Sequence, residues 1–275
     1  THSDRFLYLI HSCVLHAPGD RPWPWHQHYG QQGYVGPNRF RYDRAGSTMA
    51  VTAAEQGRPV AEVAEQDVRI YDSGIDMADA LVARLMADLE EGGLLEDTIV
   101  VLWTDHGWHL GEKKHWRKFT LWEEATRTPL MIHVPEKLAK SLPGGTKPGT
   151  RIEVPVGLID LYPTLVDICG LGENKALEGH SLVPLLKNPK VNWERPALTT
   201  HGRNNHALRT PRWRYIRYGN GGEELYDHDA DPNEWTNLAG KAEHTALKKE
   251  LAKWFPKKNA EPAAYDKKKK APKKK

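Results

Sequence analysis

An aspartate and a histidine stand side by side directly after an apolar run, and this pairing is the clearest sign of chemistry in the sequence. The run from Thr98 to Trp103 is rich in β-branched residues, and Asp105, His106 and Gly107 follow it. Such a run is typical of a strand buried on both faces, and ligands bind beyond the carboxyl ends of strands in open α/β sheets. The carboxylate and the imidazole could hold a divalent cation there. Alternatively, the carboxylate caps a turn and the imidazole is an ordinary loop side chain.

The elements around this pair predict an α/β fold. Apolar residues spaced by three and four predict one long helix from Val60 to Glu91, which Gly92 ends. A short buried strand at residues 6–10 precedes this helix, so the order strand, helix, strand indicates a right-handed crossover between parallel strands. We therefore predict a mostly parallel sheet sandwiched by helices. The apolar stripe of the helix consists of Tyr71, Ile75, Ala78, Val82, Leu85 and Leu89.

The second half of the chain predicts further elements and a smaller antiparallel subdomain. Residues 130–134 form an apolar run typical of a strand, and residues 158–170 predict a helix with proline in its first turn. Alternating patterns on either side of Asn220-Gly221-Gly222 predict strands joined by a hairpin turn. The expected domains are residues 1–190, the later part of a catalytic α/β domain; residues 191–258, a small α+β subdomain; and residues 259–275, a disordered lysine-rich tail.

Composition excludes some classes of protein. The formal net charge is +3, but seven lysines in residues 267–275 leave a net charge of −4 for residues 1–266, which argues against a nucleic-acid-binding surface. The only cysteines, Cys13 and Cys169, form neither a disulfide framework nor a zinc pattern. No stretch is long and apolar enough to span a membrane, and residues 1–5 lack the features of a signal peptide. The chain does not begin with Met, so we expect a preceding segment.

Three stretches together resemble the second signature region of the type I, formylglycine-dependent sulfatases, which belong to the alkaline-phosphatase-like superfamily. They are residues 103–112, which contain Asp105-His106-Gly107, residues 116–118, and residues 121–130. The chain is most similar to iduronate-2-sulfatase-like enzymes. Residues 160–164 resemble the Asp-x-x-Pro-Thr helix of the family, and residues 224–239 resemble its terminal pattern, so the resemblance covers most of the chain.

The resemblance implies a metal-dependent hydrolase of sulfate esters. Asp105 and His106 would be metal ligands, for a Ca²⁺ ion or for Mg²⁺ or another divalent ion. Lys118 would contact a sulfate oxygen as a catalytic and substrate-binding group, and His16 would do the same. His206, at the end of the loop that begins at His201, would be a further substrate-binding residue, and this loop would contribute to specificity. The expected substrate is a sulfated carbohydrate or another small sulfate ester, and the family is periplasmic or secreted.

The family nucleophile has no counterpart in this sequence. Formylglycine forms from Cys in a Cys-x-Pro/Ala-Ser-Arg segment, but Val14 follows Cys13 and Gly170 follows Cys169. The Asp-Asp pair that supplies the other metal ligands is also missing. We therefore expect the isolated chain to be inactive. Two alternatives stay open: a non-catalytic pseudo-sulfatase that binds sulfated glycans, and a related phosphatase or phosphodiesterase.

Overall fold

The computed structural model describes residues 53, 56–139, 148–172 and 174–259, and the predicted strand at residues 6–10 and the lysine-rich tail lie outside them. The chain divides into two compact units, one comprising Thr1–Ile99 with Trp108–Arg117 and the other Val100–Gly107 with Lys118–Lys275. The predicted boundary at residue 190 stays a prediction. Within the described ranges, no helix combines the length and the apolar character that a membrane span requires.

Helix α1, Val60–Glu91, has the predicted bounds and dominates the described part of the first unit. Its buried side chains lie in its first half, where Val63, Ala64 and Val68 pack with Trp116. The predicted apolar stripe is only half-buried, and Ile75 is 45% exposed. The first half of the helix therefore supplies most of its packing. Two short strands, β2 (His109–Leu110) and β3 (Trp116–Arg117), pair antiparallel in the same unit.

In the second unit, strand β1, Val100–Trp103, pairs antiparallel with β4, Leu130–His133. Helix α2, Glu123–Thr126, lies between them in sequence, and α3, Glu136–Ala139, follows. The α/β class agrees with the mixture of helices and sheets, but pairing among the described strands is antiparallel rather than parallel. The connection explains the difference, because the chain between β1 and β4 turns back through α2 rather than crossing over through a long helix. Strand β1 is also half-buried rather than buried on both faces.

The C-terminal sheet confirms the predicted hairpin. Tyr218 N donates to Gly222 O across the predicted turn at 2.9 Å. Buried residues from three of the strands, such as Leu208, Tyr215 and Leu225, pack against the final helix. The sheet is antiparallel throughout. Its strands and the final helix are β5 (Ala197–Thr200), β6 (His206–Arg209), β7 (Trp213–Arg217), β8 (Glu223–Asp227) and α6 (Thr245–Ala252).

The Asp-x-x-Pro-Thr pattern at residues 160–164 acts as a structural clamp that holds a later segment against a short helix, α4 (Leu161–Ile168). Asp160 Oδ2 accepts a hydrogen bond from Gly157 N at 2.9 Å, and Asp160 Oδ1 accepts one from His180 N at 2.8 Å. Thr164 Oγ1 donates to Asp160 O and accepts from Leu182 N. The pattern therefore attaches residues 180–182 to α4, immediately before helix α5, Val183–Lys187.

Candidate functional site

The predicted Asp-His-Gly turn follows β1 directly, and a hydrogen bond sets the tautomer of its imidazole. His106 Nδ1 lies 2.8 Å from Gly107 O, an oxygen that can only accept, so this contact assigns the ring proton to Nδ1. His106 Nε2 is then a lone-pair donor, as a metal ligand must be. Thr104 Oγ1 donates to His106 O at 3.2 Å and closes the turn.

Three predicted site residues converge at His106 Nε2. Lys118 Nζ lies 2.9 Å from this nitrogen and donates to it, and Asp105 Oδ2 lies 3.4 Å from it. The Asp105 side chain is 84% exposed, whereas that of His106 is 28% exposed. A carboxylate oxygen and an imidazole lone pair this close repel each other unless a positive charge lies next to both. The arrangement therefore favours a cation, and here the Lys118 ammonium contacts the imidazole.

The spacing of these two donor atoms fits a pair of ligands to one divalent cation, such as Ca²⁺. Ca²⁺ ligand bonds of about 2.3–2.6 Å at right angles place neighbouring ligand atoms about 3.3–3.7 Å apart. The observed separation of 3.4 Å between Asp105 Oδ2 and His106 Nε2 lies in that interval. The chemistry of the two donors, one carboxylate and one imidazole, does not single out Ca²⁺, because nitrogen ligands are more common on transition metals.

Gly107 fits closely against α2, and no larger residue fits in its place. Gly107 N donates to Ala125 O at 2.8 Å. A Cβ atom at Gly107 would lie 1.9 Å from Glu124 O and 3.0 Å from Arg127 O, and both are backbone atoms. The glycine of the Asp-His-Gly turn is therefore required by the close approach of two backbones.

The residue after Lys118 is an exposed aromatic in an unusual backbone conformation. Phe119 has a φ of 73°, in the left-handed region that bulky residues seldom adopt, and its side chain is 68% exposed. Lys118 Nζ lies 5.6 Å from the centre of this ring. The centres of the His201 and Phe119 rings are also 5.6 Å apart. Phe119 and His201 thus form an aromatic surface next to the lysine.

A second set of ionisable residues, which sequence reasoning missed, lies where α2 meets the C-terminal sheet. We call this set the anchor cluster. Glu123 and Glu234 each accept a hydrogen bond from the Arg214 guanidinium. The five residues of the cluster are Glu123, Arg209, Arg214, His228 and Glu234.

His228 completes the anchor cluster in its neutral form. Arg209 Nη2 donates to His228 Nδ1 at 2.9 Å, so His228 Nε2 carries the proton and donates to Glu234 Oε1 at 2.9 Å. Burial raises the pKa of the Glu123 carboxyl, but the charges of Arg214 and Arg209 outweigh that effect and hold this pKa below its usual range. The cluster is therefore ionised and internally paired.

Glu123, His228 and Glu234 offer ligand atoms within 4.8 Å of one another and could in principle hold a metal ion. The two guanidinium groups already balance the two carboxylates, and the only imidazole nitrogen with a lone pair accepts from Arg209. A divalent cation would leave the cluster with an excess of two positive charges in a buried place. The arrangement fits a structural ion network better than a metal centre.

Of the remaining predicted site residues, only His206 lies within the described part of the chain. His206, in β6, is 6% exposed, and Thr200 Oγ1 and Asn259 Oδ1 contact its two ring nitrogens at 2.9 and 2.7 Å. It lines a depression together with Arg217 and Phe255, and its role in substrate binding stays a prediction. His16 lies outside the described residues.

Comparison with protein families shows the family to which the chain belongs. A model of the Sulfatase family matches residues 2–171, which is more than half of the chain. The chain belongs to the sulfatase family. A second model, N-sulphoglucosamine sulphohydrolase, C-terminal, matches residues 111–261. The two matches confirm the type I sulfatase resemblance, whereas the iduronate-2-sulfatase-like subtype stays a prediction.

Relatives and solved structures agree with the family. A sulfatase of Formosa agariphila is 37% identical over 193 residues, which are 70% of this sulfatase chain and 36% of the relative. The chain spans about a third of the length of the curated relatives it matches. The solved structure of BT4656 in complex with its substrate D-glucosamine-2-N,6-O-disulfate is 28% identical, with a TM-score of 0.59 over 75% of this chain and 44% of that one.

Another solved structure comes from a different class of hydrolase. The phosphonate monoester hydrolase of Silicibacter pomeroyi is 27% identical to this chain and has a TM-score of 0.60. The match covers 70% of this chain and 40% of that one. The α/β fold is therefore shared with hydrolases of phosphorus esters, and the reaction of this sulfatase-family chain must be argued from its site.

Proposed function

We propose that the chain contributes Asp105, His106 and Lys118 to the active site of a metal-dependent sulfatase that acts on a sulfated carbohydrate. The observation that carries the proposal is the convergence of an aspartate oxygen and a lysine ammonium on His106 Nε2, at 3.4 and 2.9 Å. Family membership supports the reaction class, and the short distances support these three residues as members of one site.

Each residue has a task that sulfate-ester hydrolysis needs. Asp105 and His106 would hold Ca²⁺, or Mg²⁺ as the alternative ion, which would neutralise negative charge on the sulfuryl oxygens. Lys118 would place its ammonium against a sulfate oxygen as the S–O bond to the leaving alkoxide breaks. The hydrogen bond from Nδ1 to Gly107 O would keep the imidazole in the tautomer that binds metal. We expect His16, which lies outside the described residues, to add a further sulfate contact, whereas the family nucleophile has no counterpart in this sequence.

The carbohydrate part of the proposal rests on the surroundings of Lys118. Phe119 and His201 present an exposed aromatic surface next to the ammonium, and apolar faces of sugar rings pack on such surfaces. BT4656, whose substrate is a sulfated glucosamine, provides a related example. From the resemblance to the family, we propose that the protein acts in the periplasm or outside the cell.

The similarity to a phosphonate monoester hydrolase favours one alternative, hydrolysis of phosphorus esters on the same fold. A phosphatase site would need further Asp and His ligands for a second metal ion. Within the described residues, the other group of such donors is the anchor cluster, which is paired with arginines. The sulfatase proposal therefore rests on the family match and on the grouping of Asp105, His106 and Lys118.

The deciding experiment compares esters and cations. The protein is produced from its natural reading frame and assayed with 4-nitrophenyl sulfate, sulfated glucosamines and a phosphonate monoester, 4-nitrophenyl phenylphosphonate, after chelation and after readdition of Ca²⁺ or Mg²⁺. We expect turnover of the sulfate esters, its loss on chelation, and a fall of about 10²-fold or more in Asp105→Asn. Asp88→Asn, an exposed change in α1, is the control.

Preferential hydrolysis of the phosphonate would replace the proposal with the phosphorus-ester alternative. Salt-sensitive binding of sulfated glucosamine without any turnover would instead indicate a pseudo-sulfatase. In both cases Asp105→Asn and Asp88→Asn separate a role of the Asp-His-Gly turn from a general effect of lost charge.

A further inference from the structure

The anchor cluster lies at one end of α2, and the Asp-His-Gly turn lies at the other. Arg214 is 1% exposed and directs its three donating nitrogens to three places: Glu234, Glu123 and the backbone oxygen of Leu121. The last of these bonds is 3.1 Å long. A guanidinium has a rigid, planar arrangement of donors, so three simultaneous acceptors fix their mutual positions.

The start of α2 is held from a second side by the same cluster. Glu234 Oε2 accepts a hydrogen bond from Glu123 N at 3.1 Å, so one carboxylate contacts both Arg214 and the backbone at the beginning of the helix. Glu234 has no side-chain exposure. Because the helix comprises only Glu123–Thr126, a hydrogen bond at its first residue positions the whole helix.

The residues just before α2 are attached to the same sheet. Trp122 Nε1 donates to Glu224 Oε2 at 2.6 Å. Leu121 packs in a buried group with Ala207, Ile216 and Tyr226. Residues 121, 122 and 123 are thus each fixed to the C-terminal sheet by a separate contact.

The C-terminal end of α2 packs tightly against the Asp-His-Gly turn. Ala125 O accepts the hydrogen bond from Gly107 N, and Glu124 O occupies the place that a Cβ of Gly107 would need. Gly107 O in turn contacts His106 Nδ1. A shift of α2 therefore acts on the imidazole through two hydrogen bonds and one backbone contact.

We infer that Arg214, together with Glu123 and Glu234, is a positioning residue of the hydrolytic site. The anchor cluster sets where α2 lies, α2 sets where Gly107 lies, and Gly107 sets the orientation of His106. Buried ion networks are poor sources of stability compared with apolar packing, so a network of this kind is better suited to fixing one geometry. The effect on catalysis rests on the proposed function, whereas the effect on the turn does not.

The test replaces the rigid guanidinium while keeping its charge. In the protein from its natural reading frame, Arg214→Lys is compared with Arg212→Lys, a change in the same region whose partners are Asp227 and Asp229. Amide hydrogen exchange at Gly107 is measured alongside exchange at Ile216, and kcat and KM are measured for a sulfate ester.

We expect the Gly107 amide of Arg214→Lys to exchange at least 10-fold faster, with exchange at Ile216 changed much less. We also expect kcat to fall at least 10-fold with a smaller change in KM. Arg212→Lys should leave both readouts close to wild type. Glu123→Gln keeps an acceptor oxygen but removes the charge, so it should reproduce the faster exchange at Gly107. It replaces Arg214→Lys as the test variant if Arg214→Lys does not fold.

The inference is overturned if the Gly107 amide keeps its wild-type exchange in both variants. It is also overturned if all amides of the C-terminal sheet accelerate equally, because that indicates general destabilisation. A wild-type protein that hydrolyses no sulfate ester would refute the proposed function alone, since Gly107 exchange still tests the positioning.

Discussion

The ammonium of Lys118 donates a hydrogen bond to Nε2 of His106 across 2.9 Å, although the two residues are separated by β2 and β3 in sequence. The lysine thus contacts the nitrogen that a metal ion would need, while the other ring nitrogen is held by Gly107 O. With a cation on that nitrogen, the ammonium would be available to a sulfate oxygen. In the proposed site, Lys118 would therefore contact the imidazole in the metal-free state and the substrate in the metal-bound state.

Removal of the Lys118 ammonium should impair turnover more than binding. Lys118→Met keeps an unbranched apolar stem, so we expect kcat for a sulfate ester to fall about 10²-fold or more with a smaller change in KM, because charge on the sulfuryl oxygens is left unneutralised. Initial-rate kinetics measure the change. Lys249→Met, on the exposed side of α6, is the control. Wild-type rates in Lys118→Met would remove this lysine from the site.

Gly107→Ala should destabilise the fold. The new Cβ would lie 1.9 Å from Glu124 O, so α2 or the turn must move, at a cost of about 1–3 kcal/mol or more. Gly240 has open space around it and an ordinary φ, so Gly240→Ala should change stability by less than about 0.5 kcal/mol. Urea unfolding followed by tryptophan fluorescence gives both values. Equal stabilities of the two variants would contradict the close contact.

Acid should weaken the anchor cluster. The pKa of Glu123 is lowered in the folded state, because Arg214 and Arg209 outweigh its burial, so its charge contributes stability that is fully present above about pH 4.5 and is lost as the pH falls through the folded pKa. Thermal unfolding midpoints measured from pH 7 to pH 3 should therefore fall more steeply for wild type than for Glu123→Gln. Glu178→Gln, an exposed control, should follow wild type. Parallel curves for all three proteins would show that Glu123 is not linked to folding.

Thr164→Val should loosen the clamp on α4. The valine keeps the shape but leaves the buried Leu182 N without its acceptor, which should cost about 1–3 kcal/mol in the free energy of unfolding. Thr236→Val, at an exposed position, should be nearly neutral. Chemical denaturation compares them. A small effect at Thr164 would mean that Leu182 N finds another partner.

Local patterns predicted local structure well. The helix Val60–Glu91 has the bounds that its periodicity and Gly92 indicated, and Asn220-Gly221-Gly222 forms the expected turn. The Asp105, His106 and Lys118 group was found through its resemblance to a family motif, and the geometry brings the three together. These features depend on residues that are close in sequence or on a recognisable sequence motif.

Features that depend on distant residues were missed. Arg214 meets Glu123 across 91 positions, and Glu234 meets the Glu123 backbone across 111. A periodicity says nothing about such pairs, and a glutamate on a short helix is usually solvated. The antiparallel pairing of β1 and β4 was missed for a related reason, because an apolar run does not state the direction of its neighbour.

The attachment of α2 to the C-terminal sheet has a consequence for the order in which the protein matures during translation. The turn at Gly107 leaves the ribosome long before Glu234, which is the residue that fixes the beginning of α2. At usual rates of synthesis the delay is on the order of ten seconds. If α2 is positioned as we infer, the Asp-His-Gly turn reaches its final geometry only after Glu234 has been synthesised, and a nascent chain released early would carry Asp105 and His106 without their alignment.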